Sequence, residues 1–290
     1  MTTTTLTPPP LPPQSGQPAQ PGHTPPSERR SSSRVVAIIA ICLGAVLVLG
    51  TVVTGVISII RTAAVHTTTL TASIDGIRAL DIDARAADVD IVYGDVAEAT
   101  LRVVGSQGDW TFERQGDTLV VSSDRQWWGR WGWFREGDDV TLTLPTGTRG
   151  LDADFDVDGG SLTATGDYGD LALTLDAGSL RIEGSAESLT TDVSAGSARL
   201  ELSGVDTATV SVSAGSVDGR LLAGTTEAPS SVSVDVSAGR VDLALPDATY
   251  AVTSDVSAGG FTNRLDTASA SQHRVDVTVS AGAVVLRSGR

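Results

Sequence analysis

From about residue 150 onward the chain alternates apolar and polar residues with a period of two, and one four-residue phrase punctuates the alternation. Val193-Ser194-Ala195-Gly196 returns as Val212 to Gly215, Val236 to Gly239, Val256 to Gly259 and Val279 to Gly282. Two diverged copies precede it, Val157-Asp158-Gly159-Gly160 and Leu175-Asp176-Ala177-Gly178. A short alternating run lies on either side of each glycine. Leu189, Thr191, Val193 and Ala195 share one side before Gly196, and Ala198, Leu200 and Leu202 share it afterwards; Val232 to Ala238 with Val241 to Leu245, and Val275 to Ala281 with Val284 and Leu286, repeat the arrangement. Period two means strand rather than helix. The repeat glycines, Gly160, Gly178, Gly196, Gly215, Gly239, Gly259 and Gly282, recur at about 20-residue intervals, which is the spacing of a solenoid.

The pattern predicts an all-β, single-stranded β-solenoid, β-helix-like, with each glycine at a bend where positive φ and close approach of coils are free of a side-chain penalty. Coils stacked about 4.8 Å apart would bury a continuous Val/Leu/Ala column that no repeat could bury alone. Stacking in chain order makes outward columns of Asp158, Asp176, Ser194, Ser213, Ser237, Ser257 and Ser280, and of Asp156, Thr174, Asp192, Ser211, Asp235, Asp255 and Thr278. The second column interleaves carboxylates with hydroxyls, which limits like-charge repulsion. An antiparallel β-sandwich is the competing all-β reading.

Before the repeats the strands are less regular: Leu80 to Ala84, Val89 and Ile91, Ala99 to Val103, Trp110 to Phe112, Leu119 to Val121 and Val140 to Leu144. They read as opening coils with one excursion, residues 125–135, which holds Trp127, Trp128, Arg130, Trp131, Trp133 and Phe134 and four of the five tryptophans. Trp and Arg interleaved with glycine suit stacking on sugar rings, cation–π contact or anchoring at a lipid interface. The same rings could instead fold back to cover the open first coil, since a solenoid needs capped ends.

Upstream, residues 35–60 form an uncharged run of 26, flanked by Arg29, Arg30 and Arg34 before and Arg61 after. A bilayer span needs about 20 apolar residues. The run therefore predicts one transmembrane helix, too long for a cleaved signal core, with the N-terminus cytoplasmic by the arginine bias. Residues 1–34, rich in Thr, Pro, Gln and Ser with Pro8 to Pro13, predict a disordered cytoplasmic tail. Residues 61–67 read as a juxtamembrane linker and 68–290 as the exported β-repeat domain. The single cysteine, Cys42, lies in the span and makes no disulfide within the chain.

Charge narrows the partners. Residues 62–290 carry 16 arginines, no lysine and 34 acids, a net of −18. Such a surface argues against nucleic acid and against adsorption to anionic lipid. The sequence calls for no cofactor, and nothing in it fixes an oligomeric state.

Catalytic chemistry finds little foothold. His23, His66 and His273 are scattered, and no phosphate-binding glycine loop or zinc-ligand spacing occurs. Asp154, Asp156, Asp158 and Gly159 match the start of a calcium loop, but its twelfth position is Thr165 rather than glutamate. A different calcium site could form where Asp158 stacks beside Asp176 near Asp156.

At this point a resemblance can be placed on the residues. Leu80-Asp81-Ile82 with Val89-Asp90-Ile91, the phrase Gly116-Asp117-Thr118-Leu119-Val120-Val121, the Trp-rich insert and Asp139 to Pro145 before the repeats resemble the bacterial putative-adhesin family of β-strand-repeat domains of unknown function. The resemblance covers roughly residues 68–290. It implies a β-helix-like fold and supplies no catalytic residues; adhesion is its label, and related domains occur in envelope-stress and membrane-associated regulatory settings. Asp88 departs from the repeat, standing where a bend glycine would be expected. Two functional expectations follow: a non-enzymatic adhesion, scaffold or cell-envelope binding module on a single-pass anchor, recognising a protein or glycan, and alternatively an envelope sensor or regulator acting through a partner of the tail. A glycan-active enzyme is disfavoured, because paired acids would need a groove that the pattern does not provide.

Overall fold

A computed structural model of the chain describes residues 60–62, 67–105, 109–124, 138–224 and 228–289, all within one compact unit, Val53–Arg290. Every regular element among them is a strand: β1 (Ile60–Thr62), β2 (Thr67–Ala72), β3 (Ala79–Gly94), β4 (Ala99–Val104), β5 (Asp109–Gln115), β6 (Thr118–Asp124), β7 (Asp138–Pro145), β8 (Leu151–Leu175), β9 (Ser179–Ser185), β10 (Ser188–Val193), β11 (Ser197–Ser203), β12 (Thr207–Val212), β13 (Ser216–Leu222), β14 (Ser231–Val236), β15 (Arg240–Leu245), β16 (Thr249–Arg264), β17 (Asp266–Thr267) and β18 (Arg274–Ser288). The tail read at 1–34 and the span read at 35–60 lie outside the described residues, apart from Ile60, which opens β1. No helix among the described residues is long and apolar enough to cross a membrane. Residues 61–67, read as a linker, are partly strand, since β1 pairs antiparallel with β2 and sets Ile60 opposite Thr69.

One coil consists of two arms joined at a corner. β10 runs into the corner at residues 194–196, β11 leaves it, and a short return at 204–206 leads to the next coil. First arms stack on first arms, Leu189 between Leu171 and Ala208, and second arms on second arms, Leu200 between Ile182 and Gly219. The pairing is parallel and in register, so the chain forms two parallel sheets that meet along the corner line. Inward residues of both fill the space between them: Leu80, Ile82, Val89, Ile91, Phe155 and Leu162 are each no more than 2% exposed. Continuous burial on one face of each arm is what period-two alternation provides.

The corner shifts the phase of that alternation. Val193 and Ala198 are both buried although five positions apart, and the alanines between them and in the later copies, Ala195, Ala238 and Ala281, are exposed. The expectation that these alanines point inward is therefore corrected: the three residues before the next arm carry the backbone around the outside of the bend. In the first coil the corner falls at Ala86, whose φ is +53°, with Ala87 beside Gly160. Asp88 thus stands one step into the second arm, exposed, where it accepts a 2.5 Å hydrogen bond from Ser161 Oγ. A non-glycine residue holds the bend because β8 pairs through it with two register shifts, between Ala84 and Arg85 and between Arg85 and Ala87.

The stack does not follow chain order at either end. β3 lies between the β6–β7 coil, paired Leu80 with Leu119 and Val89 with Val140, and β8, paired Ile82 with Phe155. At the far end β18 lies on β14 and β15, Val234 with Val277 and Leu243 with Leu286, and β16 lies outside β18. The expected columns are consequently reordered: Gly282 follows Gly239 and Gly259 comes last. The inward residues explain the exchange. β18 offers Val275, Val277, Val279, Val284 and Leu286, all buried, whereas β16 presents Ser254 opposite Val277 and Asn263 opposite Leu286. The more polar coil takes the solvent end. Antiparallel strands finish the opposite end, β5 on β6 and β4 on β7, with β2 on β4.

Candidate functional site

The Trp-rich residues Trp127, Trp128, Arg130, Trp131, Trp133 and Phe134 lie outside the described residues, but both ends of their segment are fixed. β6 delivers the chain to the corner line as a first arm, and β7 takes it up as a second arm, so residues 125–137 stand where other coils have a three-residue corner. At the β6 end Ser123 is buried and its Oγ accepts a 3.0 Å hydrogen bond from the Arg85 amide. At the β7 end Asp138 is 2% exposed, and its carboxylate accepts from Trp110 Nε1 at 3.2 Å. A buried carboxylate is costly unless it is hydrogen-bonded, so Trp110 both packs against the core and satisfies the start of β7. The alternation of β7 carried the signal: Asp138 occupies the inward phase shared by Val140, Leu142 and Leu144.

The coil that bears the insertion is already covered. β5 hydrogen-bonds along β6, and Phe112, Leu119, Leu101 and Leu142 close the core beneath it with at most 2% exposure each. Among the described residues, strands β4 and β5 are what cover this coil.

A second concentration of chemistry lies on the outward side of the first sheet. Register sets Asp81 beside Asp154 and Asp83 beside Asp156, and the Asp176 amide donates to the Val157 carbonyl, bringing Asp176 next to Asp158. Asp156 is exposed on this outward face, but partial desolvation by its neighbours pushes its carboxyl up to about 6, reinforced by Asp158, Asp83, Asp176 and Asp154. Desolvation raises Asp154 as well, and raises Asp81 together with the charges of Asp154 and Asp83. The sequence reading brought Asp156, Asp158 and Asp176 together correctly in space, but it overlooked Arg85. The guanidinium lies 2.9 Å from Asp83 and 3.4 Å from Asp158, supplying the cation that the carboxylates attract. No three His, Cys, Asp or Glu side chains among the described residues converge as a metal-ligand set.

His273 faces the Pro229 carbonyl through Nδ1 at 2.9 Å and lies 5.9 Å, centroid to centroid, from the Tyr250 ring. The nearby Ser271 Oγ donates to the Thr249 carbonyl and accepts from the His273 amide. These bonds tie the return segment before β18 to β16 and leave serine and imidazole engaged with backbone.

Two solved structures are similar to the chain over much of its length. A putative cell adhesion protein from Clostridium sporogenes is 10% identical, with a TM-score of 0.36, over 78% of this chain and 100% of that one. A putative adhesin from Bacteroides fragilis is 13% identical, with a TM-score of 0.39, over 78% of this chain and 98% of that one. No curated protein matches the chain. The Toastrack DUF4097 family profile matches residues 77–287, from just before β3 to the end of β18. By that match over most of its length, the chain belongs to the Toastrack DUF4097 family, a domain family of unknown function.

Proposed function

We propose that this chain is a non-enzymatic binding module: the apolar run before Ile60 anchors it in the membrane, residues 1–34 form a cytoplasmic tail, and the acidic β-solenoid is presented outside the cell to a protein or glycan of the envelope. The Trp-rich insertion makes the contact. The observation that carries this reading is the place of the insertion, at the corner of a coil whose outer edges already take β4 and β5. The segment with Trp127, Trp128, Arg130, Trp131, Trp133 and Phe134 is held at both ends by hydrogen bonds to the buried residues Ser123 and Asp138. Tryptophan and arginine are also the residue types that dominate binding hot spots. The solenoid contributes rigidity, since each coil is hydrogen-bonded along its length to its neighbours.

The test is co-sedimentation of the full-length chain, purified in mild detergent, with isolated cell-wall and membrane fractions. A variant with Trp127, Trp128, Trp131 and Trp133 all changed to Ala is run beside it, with circular dichroism to establish that both are folded. Binding by the parent and its loss in the folded variant is the expected result. Equal sedimentation of the two would reject the insertion as the contact surface.

A further inference from the structure

The outermost coil, β16, is left with an open edge. Asp266 and Thr267 of β17 pair with Thr249 and Tyr250, but from residue 251 to residue 264 the only strand partner among the described residues is β18, on one side. Residues 253–260 are all exposed, and Val256, an inward core position in every other coil, is 38% exposed. Open edges are normally blunted by charge, proline, a bulge or shortness. The opposite end of the solenoid follows that rule, with Glu113, Arg114 and Gln115 on β5 and a three-residue β1. β16 does not: over 251–264 it contains no proline and only two charged residues, Asp255 and Arg264.

Those two charges lie symmetrically about the corner pair Gly259–Gly260. We infer that β16 is a self-association edge, on which a second copy of this chain docks end to end through a two-fold axis at the corner, pairing residues 255–264 antiparallel with their own counterparts. In that register Asp255 faces the partner's Arg264 and Arg264 the partner's Asp255, while Val256 faces Asn263, Ser257 faces Thr262 and Ala258 faces Phe261. Shifting the register by two residues either way breaks both ion pairs.

Three features of the coil agree with this pairing. Its two arms meet at one corner, so a two-fold through that corner carries residues 255–258 onto 261–264 of the partner copy. The backbone phase also matches. The Arg274 amide turns to Ser230 and the Ala283 amide to Gly239, and alternation from there aims the hydrogen-bonding groups of residues 252, 254, 256, 261 and 263 away from β18, so Val256 and Asn263 form a hydrogen-bonded pair across the axis. Asp255 and Arg264 then form the neighbouring non-hydrogen-bonded pair, where side chains come closest. Finally, the coils below have Ser197, Ser216, Arg240 and Ala283 where this coil has Gly260, and a Cβ placed there meets nothing within 4 Å. The corner is bare where the two copies would cross.

Charge exchange tests this with the full-length chain in mild detergent, by sedimentation equilibrium in about 150 mM salt, near physiological ionic strength. The parent is expected to be a dimer. Asp255→Arg alone and Arg264→Asp alone each set like charges opposite one another and should weaken the dimer at least about tenfold, and the double exchange should restore it. Both side chains point outward, and thermal melting by circular dichroism checks that the variants remain folded. A second measurement uses a Cys42→Ser background: Asp255→Cys with Arg264→Cys should oxidise to an intermolecular disulfide, while Asp255→Cys with Thr262→Cys should not. A monomeric parent, a dimer indifferent to the single exchanges, or cross-linking that ignores register would each overturn the proposal.

Discussion

Gly178 sits directly on Gly160: a Cβ on Gly178 would stand 2.1 Å from the Gly160 carbonyl oxygen, and the residue's φ is +119°. The glycines of the repeat are thus the points where one coil's backbone touches the next. Gly178→Ala combines a collision with backbone and a strained dihedral, and should destabilise the domain by about 3 kcal/mol or more. Gly147→Ala, where a Cβ meets nothing within 4 Å and φ is not left-handed, should stay within about 0.5 kcal/mol of the parent. Urea denaturation of the two variants makes the comparison.

Asp156 is held protonated well above its ordinary range, up to about 6, by partial desolvation and by four neighbouring carboxylates. Its folded-state value exceeds its unfolded one, so the folded state binds more protons between about pH 4 and 6. Stability should therefore rise as pH falls from 7.5 through 6. Asp156→Asn should raise the melting temperature at pH 7.5 and flatten its dependence on pH over that window. A variant less stable than the parent at pH 7.5 would show that Asp156 contributes as a carboxylate.

Trp110 donates to the buried Asp138 carboxylate. Trp110→Phe keeps an aromatic ring but loses the donor, and should cost about 1.5–3 kcal/mol, the range for a hydrogen bond to a charged group. Chemical denaturation measures this, and Trp110→Phe combined with Asp138→Asn should cost less than the two single changes added together.

Leu286 of β18 is fully buried and Asn263 lies beside it in the outer coil. Leu286→Ala should cost about 2–5 kcal/mol. Amide exchange in Asp255→Arg, which keeps the copies apart, should divide the last two coils in the same way: β18, bonded on both sides, exchanges slowly, while residues 252, 254, 256, 261 and 263 of β16 exchange fastest. The reverse order would mean that the two strands had been placed the wrong way round.

Much of this architecture is legible in the sequence, because period-two alternation and a glycine spaced at about 20 residues each have one physical meaning. The parallel coils, the corner glycines and the neighbourhood of Asp156, Asp158 and Asp176 all follow from it. What is not legible is order. Every coil has the same register, so spacing cannot say which one sits on which, and the exchange of β16 and β18 is marked by Ser254 and Asn263 at inward positions that β18 fills with Val277 and Leu286. The first corner was misplaced to Asp88 because the bend there uses Ala86, which carries no glycine signal. Arg85 went unnoticed as the counter-ion of Asp83 and Asp158, since a single arginine beside a corner looks like solvent-exposed charge until the neighbouring coil is in place.

The position of β18 has a consequence for how the molecule is made. β18 leaves the ribosome after β16 and yet belongs beneath it, on Val234 and Leu243. As the chain emerges, coils can be laid down one upon another as far as Leu245, and the next to arrive, residues 249–264, finds a vacant seat that is not its own. Ser254 would then lie on Val234 and Asn263 on Leu243, a poor match that leaves the seat contestable. Val275 to Leu286 fit that seat better, with Val277 on Val234 and Leu286 on Leu243, so the native order needs the later coil to be present. A chain cut short before Val275 would leave Val234 and Leu243 without the coil that covers them.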